Sequence, residues 1–547
     1  MLEGCVPWPP ELAARYRQKG YWEDITLREM LDASVQRCGD KPALVFGERR
    51  ISYRQLLLEI DRLAAHLHEA GLRPAERVVL QLPNMPEFVT TFFALVTIGV
   101  IPVLALPAHR HTEISHFVKH SGAVAYFVPG IVRDFDYRGL AEEVRRQLGP
   151  QLRSVFVAGT PLPGQLALQA GGAAIVSTAA LRPDPAEVAL MLLSGGTTGL
   201  PKLIPRTHND YICNCKASGR VAGLDTTSVF LAVLPLAHNY TLASPGILAT
   251  LAYGGTVVIA PGTSAEIVMA LIERERVTHV AAAVPLVVKW LQARSAGEHD
   301  LSSLRVLING GARLAPQLRR RVREQLGCQF QEDFGTGEGL LNMTRLDDPD
   351  ELVLNSSGAP VCADDEIRVI DDLGKELADG EPGELVCRGP YTIRGYYKAP
   401  QANAAAFTDD GFYRMGDVVR KVGRYVYAVG RKKDLINRGG EKISAEEVEN
   451  MVLGHPAVDN VCIVAMPDPV YGERACAFVI PKTGRSITLP QLTDFLMQQQ
   501  IAKFKLPERL ELIDRFPLSP AGKVLRRSLR ARIEQQLAQE CNQAAAQ

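Results

Sequence analysis

Short apolar, β-branched runs alternate with amphipathic stretches through most of this chain. That alternation confines it to parallel sheets covered by helices. The runs RVVLQLP (77–83), AYFVPG (125–130), VFLAVLPL (229–236), GTVVIAP (255–261) and RVLINGG (305–311) read as buried strands. Between them, ISYRQLLLEIDRLAAHLHEAG (51–71) and LAPQLRRRVREQLG (314–327) repeat their apolar residues at helical spacing. Strands alternating with helices imply parallel sheets covered on both faces, so the predicted class is α/β. From about residue 355 the texture shifts to shorter strands and more turns, as in DDEIRVIDDLGKEL and GELVCRG, which predicts a β-rich subdomain. RKKDLINRGGEKIS, after residue 430, is a charged, Gly-containing break. AEEVENMVLGH, NVCIVAMP, RACAFVIP and LPQLTDFLMQQQ then read as a small α+β domain. The segment AEEVEN reads as a solvated helix face, and LRRSLRARIEQQLAQECNQ as a polar, fraying helix. The expected layout is a body over residues 1–430, a hinge at 431–434 and a mobile domain over 435–547.

Composition removes several classes of function. At 547 residues the chain exceeds one ordinary core, and Lys plus Arg equals Asp plus Glu at 61 each. No global field therefore draws it to nucleic acid or an acidic membrane. The ten cysteines are scattered, with only Cys213 and Cys215 close and no CxxC spacing. That argues against a zinc site or a disulfide framework and for reduced thiols in the cytoplasm. The start, MLEGCVPWPPEL, lacks a basic-then-apolar signal pattern. Residues 88–108 are uncharged and long enough to span a bilayer, but Gly99, Pro102 and Pro107 break them, and Thr90, Thr91 and Thr97 interrupt their apolarity. A buried helix followed by a buried strand is expected there. His109, His111, His116 and His120 invite a metal hypothesis; without an accompanying carboxylate motif they read as a surface helix.

Four motifs carry chemistry. LLSGGTTGLPK (192–202) ends a strand and then runs through Ser194, Gly195, Gly196, Thr197, Thr198 and Gly199 to Pro201 and Lys202. Glycines let backbone N–H groups converge and hydroxyls add donors, which suits a polyphosphate; the lysine adds a mobile charge. A flexible linker would not need the strand lead-in or the Pro-Lys exit. A Walker A loop needs Ser or Thr after its lysine, where Leu203 stands here. QEDFGTGEGL (331–340) sets Glu338 among glycines as a candidate Mg²⁺ ligand. YRMGDVVRK (413–421) sets Asp417 where it can accept hydrogen bonds from a ribose, and SPAGKV (519–524) carries Lys523.

Together, in this order, these motifs resemble the adenylate-forming superfamily over nearly the whole chain. The resemblance implies that the loop 194–199 and Lys202 handle ATP phosphates, Glu338 holds Mg²⁺ and Asp417 binds the ribose hydroxyls. It implies that Lys523 bridges substrate carboxylate and ribose during adenylation, that Arg431 contacts nucleotide and that Lys433 is the hinge. It also implies that Gly310, Gly311 and Ala312 form the adenine-facing turn, with Asp333, Phe334 and Thr336 also on the ATP side.

LPLAHNYTLASPG (234–246) narrows the resemblance to stand-alone aryl-acid ligases of siderophore biosynthesis, especially 2,3-dihydroxybenzoate–AMP ligases. Supporting strings include VPWPPELAARYRQKGYW (6–22), KLIPRTHNDYI (202–212) and GPYTIRGYYKA (389–399). In such enzymes the positions of Asn239 and Ser244 hydrogen-bond the ring hydroxyls and Tyr240 packs on the ring; Gly311, Leu341 and Lys523 complete the acid site, and His238 is expected beside it. Salicylate-using relatives tend to carry Cys at the Ser244 position, so the serine favours the catechol acid. This chain departs from the branch's usual QVFGMAEG: Asp333 replaces an aliphatic residue near the adenine, and Gly337 stands where many members carry a phosphate-binding Thr. Leu341 is bulkier than the usual Val, and Asn309 is unusual before the adenine turn. The expected enzyme uses ATP and Mg²⁺ to activate 2,3-dihydroxybenzoate and hands it to a phosphopantetheinylated aryl carrier protein in trans, with neither nucleic acid nor a membrane span involved. A salicylate–AMP ligase, an aryl-CoA ligase and a non-catalytic nucleotide-binding regulator are the alternatives.

Overall fold

The computed structural model describes residues 1–169, 182–194, 201–294, 299–439, 441–499, 501–519 and 522–545. The chain divides into two compact units: residues 1–367, 387–414 and 424–426, and residues 368–386, 415–423 and 427–547.

Two large sheets build the first unit. In the nine-stranded sheet, the strands Gln329–Thr336, Val306–Gly310, His279–Ala282, Val229–Ala232, Thr256–Ile259 and Pro42–Phe46 lie side by side in that order, all parallel. Antiparallel strands Gly339–Met343 and Ala359–Pro360 extend one edge, and Arg49–Ser52 closes the other. Helices cover the sheet: Trp290, Leu291, Val322 and Leu326 pack onto Val280, Leu307 and Phe330. The seven-stranded sheet is parallel through Ile101–Leu104, Arg77–Leu80, Ala125–Pro129, Ser154–Ala158 and Leu166–Ala167. A hairpin of Val188–Leu193 and Leu203–Thr207 forms its other edge. The uncharged segment resolves into the helix Pro86–Thr97, nearly every residue buried, and the buried strand Ile101–Leu104. Among the described residues no helix is long and apolar enough to cross a membrane.

The strands Glu366–Ile370, Pro382–Arg388, Tyr413–Val422 and Tyr425–Arg431 form a separate sheet in that order, the expected β-rich texture. In the second unit, Glu441–Ser444, Leu435–Arg438, Gly472–Pro481 and Val458–Asp468 pair in turn, with Arg509–Leu512 parallel to Gly472–Pro481.

Two expectations about this unit fail for the same reason. The helix Ala445–Val452 is not a plain solvated face: Glu449 is buried and pairs with Arg526 at 2.5 Å while accepting the Ile463 N–H. The helix Arg526–Ala545 is likewise anchored, because Leu529 and Ile533 sink against Phe478 and Phe516. Each sequence is polar enough to look solvated, but each faces a partner distant in the chain.

Candidate active site

The hairpin Val188–Leu193/Leu203–Thr207 brings Ser194 and Lys202 together at the base of the glycine-rich loop. The Ser194 N–H bonds the Lys202 carbonyl at 2.9 Å, and the Lys202 N–H bonds Ser194 Oγ at 2.9 Å. Gly195, Gly196, Thr197, Thr198 and Gly199 lie outside the described residues. The half-buried Lys202 ammonium sits 4.5 Å from the ring centre of Tyr396. The Tyr396 hydroxyl donates to Glu338 Oε1 at 2.8 Å and contacts the Tyr413 hydroxyl at 3.2 Å. Glu338 occupies the turn between the strands Gln329–Thr336 and Gly339–Met343. Gly339 permits that turn to press on its neighbour: a Cβ there would meet Thr392 Cα at 2.5 Å. A single oriented carboxylate fits a magnesium ion that takes most of its ligands from phosphates and water. Among the described residues there is no cluster of three or more His, Cys, Asp or Glu able to hold a metal without such help.

A second constellation surrounds Ser244. The helix His208–Val221, capped by Thr207, carries Tyr211 and Asn214 on one buried face. The buried Arg206 donates through Nε to Asp210 at 2.7 Å and through Nη2 to Asn214 Oδ1 at 3.3 Å. A guanidinium only donates, so it fixes the Asn214 amide with Nδ2 turned away, 3.0 Å from Ser244 Oγ. Asn239 is set the same way: Tyr211 donates to its Oδ1 at 2.9 Å, and its Nδ2 donates to Ser244 Oγ at 3.2 Å. Ser244 is 1% exposed and accepts two hydrogen bonds, and among the described residues no acceptor meets its own hydroxyl proton. Arg206, Tyr211 and Asn214 were not singled out in the sequence. Their signal is polar residues three to four apart on a helix whose other positions are also buried.

Tyr240 forms the adjoining wall. Its hydroxyl donates to the Ile308 carbonyl at 2.9 Å, and its ring lies over Gly310, where a Cβ would stand 2.7 Å from Cζ. Glycine is required there by the ring's approach. His238 is half-buried and caps the short helix Asn239–Ala243, its Nδ1 accepting the Tyr240 N–H at 3.2 Å. Gly311, in a left-handed conformation, and the exposed Ala312 follow the end of the strand Val306–Gly310. Phe334 is half-buried, Leu341 is buried, and Thr336 Oγ1 is buried with no partner among the described residues.

In the second unit, Asp417 lies in the strand Tyr413–Val422 and pairs with Arg431 Nε through Oδ1 at 2.7 Å. Among the described residues its buried Oδ2 has no hydrogen-bond partner. Burial raises the Asp417 pKa to about 6 against the opposing pull of Arg431, Lys523 and Lys433, so all three cations act on this carboxyl. Lys523 sits in a turn that Gly522, also left-handed, allows; its N–H bonds Ser519 Oγ at 3.1 Å. Lys433 lies in the single turn Lys432–Asp434.

The family model for AMP-binding enzymes matches residues 31–397, and the model for the AMP-binding enzyme C-terminal domain matches residues 447–523. This chain belongs to the AMP-binding enzymes. As an AMP-binding enzyme it is 46% identical to the 2,3-dihydroxybenzoate-AMP ligase of Bacillus subtilis over 98% of this chain and 99% of the relative. It is also 46% identical to a salicylyl-CoA synthase / salicylate adenylyltransferase of a Streptomyces species, over 96% of this chain and 97% of the relative. Among solved structures, apo MbtA of Mycobacterium smegmatis superposes with a TM-score of 0.74 at 39% identity, covering 96% of this chain and 98% of MbtA. Equal identity to relatives named for two different acids leaves the choice of acid to the pocket.

Proposed function

We propose that this AMP-binding enzyme activates 2,3-dihydroxybenzoate with ATP and transfers it to the phosphopantetheine thiol of an aryl carrier protein in trans, in the cytoplasm, for siderophore biosynthesis. The observation that carries the acid is the Ser244 hydroxyl, held as a donor by Asn214 and Asn239. A ring hydroxyl oxygen accepts that proton; the C–H of a plainer ring does not.

In the first half-reaction a carboxylate oxygen attacks the α-phosphorus of ATP, the bond to the bridging oxygen of the β-phosphate breaks, and pyrophosphate leaves. Two anions meet in this step, so cations and oriented donors stabilise its transition state most. Lys523 neutralises the attacking carboxylate, while Lys202, Ser194 and the loop 195–199 bind the phosphates. Glu338, oriented by Tyr396, would hold Mg²⁺, which when bound supplies further positive charge to the phosphates. Asp417 offers its open Oδ2 to the ribose hydroxyls while Arg431 fixes Oδ1. Gly310, Gly311, Ala312 and Phe334 flank the adenine; Tyr240 and Leu341 flank the aryl ring, with His238 at its edge. In the second half-reaction the carrier thiol loses its proton, its sulfur attacks the acyl carbon, and AMP departs. Lys433 is the pivot between the two half-reactions.

The same machinery serves salicylate, or coenzyme A as the thiol, and the Streptomyces relative gives that second reading its weight. Aryl-acid-dependent ATP–pyrophosphate exchange across benzoate, salicylate and 2,3-dihydroxybenzoate separates the acids; thioester formation on carrier against free coenzyme A separates the thiols. Fastest exchange with 2,3-dihydroxybenzoate is expected. Exchange fastest with benzoate, or none with any of the three, overturns the reading.

A further inference from the structure

Two of the histidines that invite a metal hypothesis, His116 and His120, lie one turn apart on the helix His111–Ser121. Both are half-buried, and their rings stack with centres 5.4 Å apart and planes 10° from parallel. Each reaches a backbone carbonyl of a segment distant in the chain: His116 Nε2 that of Pro201 at 3.2 Å, His120 Nε2 that of Tyr397 at 3.2 Å. A carbonyl only accepts, so both rings carry a proton on Nε2. Burial first, opposed by the Pro201 bond and aided by His120, lowers the His116 pKa and keeps that ring a neutral donor. With both Nε2 atoms taken, and no third His, Cys, Asp or Glu joining them among the described residues, the pair does not form a metal site.

The two carbonyls adjoin the phosphate end of the site. Pro201 immediately precedes Lys202, and with no N–H its carbonyl is its only backbone hydrogen-bonding group. Tyr397 follows Tyr396, whose ring meets the Lys202 ammonium and whose hydroxyl donates to Glu338. The Tyr397 N–H bonds the Leu203 carbonyl at 3.0 Å, which ties the two segments to each other. The helix that carries the histidines is itself anchored: Ile114, Phe117 and Val118 share one buried core with Leu203 and Tyr397. One helix therefore holds, through two stacked rings, the backbone on both sides of the contact between Lys202 and Tyr396.

We propose that His116 and His120 are positioning residues for ATP: by fixing the Pro201 and Tyr397 carbonyls, the stacked pair sets where the Lys202 ammonium and the Tyr396-held Glu338 carboxylate stand. The inference rests on the assignment of Lys202 and Glu338 to the phosphates and their Mg²⁺, and it says what keeps the two in place. Neither histidine touches the nucleotide in this scheme. Their effect passes through one backbone residue each, and a small displacement of charged groups that meet a polyphosphate is felt in binding. The aryl acid is read by other residues, Ser244 and Tyr240 among them, so the two ligands should respond differently when the pair is broken.

The test compares phenylalanine with glutamine at each position. Phenylalanine keeps a ring in the stack and loses the donor; glutamine keeps an N–H at similar reach. Binding of MgATP is read by calorimetry without aryl acid, and the KM for ATP and for the preferred aryl acid by pyrophosphate exchange. His116→Phe and His120→Phe are each expected to weaken MgATP binding roughly two- to tenfold, the scale of one neutral hydrogen bond, with the KM for the acid within about twofold of wild type. His116→Gln and His120→Gln are expected to restore MgATP binding to within about twofold. Ser115→Ala, which removes a bond to Gln147 from the same helix, is expected to leave MgATP binding unchanged. Phenylalanine variants that bind MgATP as wild type does overturn the inference. So does equal weakening toward ATP and acid, or glutamine failing to rescue, since either assigns the pair to packing alone. Lys202→Ala distinguishes failure of the underlying reading: if it too leaves MgATP binding unchanged, the phosphate assignment falls, and this inference with it. Should a phenylalanine variant not fold, asparagine against glutamine gives the same contrast, because the shorter amide stops short of the carbonyl.

Discussion

Replacing Ser244 by cysteine tests the acid assignment most directly, because the change removes a hydrogen bond while nearly preserving shape. In the fold, Ser244 Oγ accepts from Asn214 Nδ2 at 3.0 Å and from Asn239 Nδ2 at 3.2 Å, which leaves its proton for the ring hydroxyl. A thiol donates and accepts weakly, so that bond to the ligand is largely lost. A neutral hydrogen bond contributes about 0.5–1.5 kcal/mol net, so the kcat/KM ratio of 2,3-dihydroxybenzoate to salicylate should fall roughly two- to tenfold. The two acids differ only in the 3-hydroxyl, and effects common to both, such as partial misfolding, cancel in the ratio. The fold itself should also weaken, because the two asparagine amides lose their oxygen acceptor. Leaving buried donors unsatisfied costs about 1–3 kcal/mol, visible as a lower denaturant midpoint. An unchanged ratio, or a wild type that already prefers salicylate, refutes the argument while leaving aryl adenylation standing.

Lys523→Ala should slow adenylate formation by two orders of magnitude or more, the scale of losing a main electrostatic stabiliser, while transfer from preformed aryl-adenylate to carrier survives. Equal loss in both half-reactions counts against its assigned role. Lys433→Pro fixes a backbone φ and removes an N–H at the proposed pivot, so pyrophosphate exchange should stay near normal while thioester formation drops; parallel loss in a folded variant rejects the pivot. Asp417, with a pKa raised to about 6, is ionised above that pH and protonated below it, so the KM for ATP should climb as pH falls through about 6, and Asp417→Asn should remove that dependence. Because its folded pKa exceeds the unfolded one of about 3.9, the same group should make folding stability fall as pH rises from about 4 to about 6, and the asparagine variant should flatten that slope too.

What could be read from the sequence was what local chemistry determines. Runs such as RVLINGG are apolar on both strand faces, so the strand Val306–Gly310 follows from its own residues, as does the helix Pro316–Leu326 from its spacing. Long-range partners could not be read that way. Glu449 appears solvated until Arg526, 77 residues later, is found against it, and Arg206 is an ordinary basic residue until Asn214 is seen on the buried face it orients. The pair Glu332–Asp333 shows why this matters for function. As sequence, both acids are equally out of place in a buried strand. Register and partners separate them: Arg319 and Asn309 account for one as structure, and nothing within the described fold accounts for the other. Among the described residues the Ser244 proton and Asp417 Oδ2 likewise meet no partner. Among the described residues the same lack of a partner also falls on buried atoms such as Tyr16 Oη, Thr91 Oγ1 and Gln536 Oε1, so an unmet hydrogen bond points to a substrate only where it stands among the residues that the motifs already bring together.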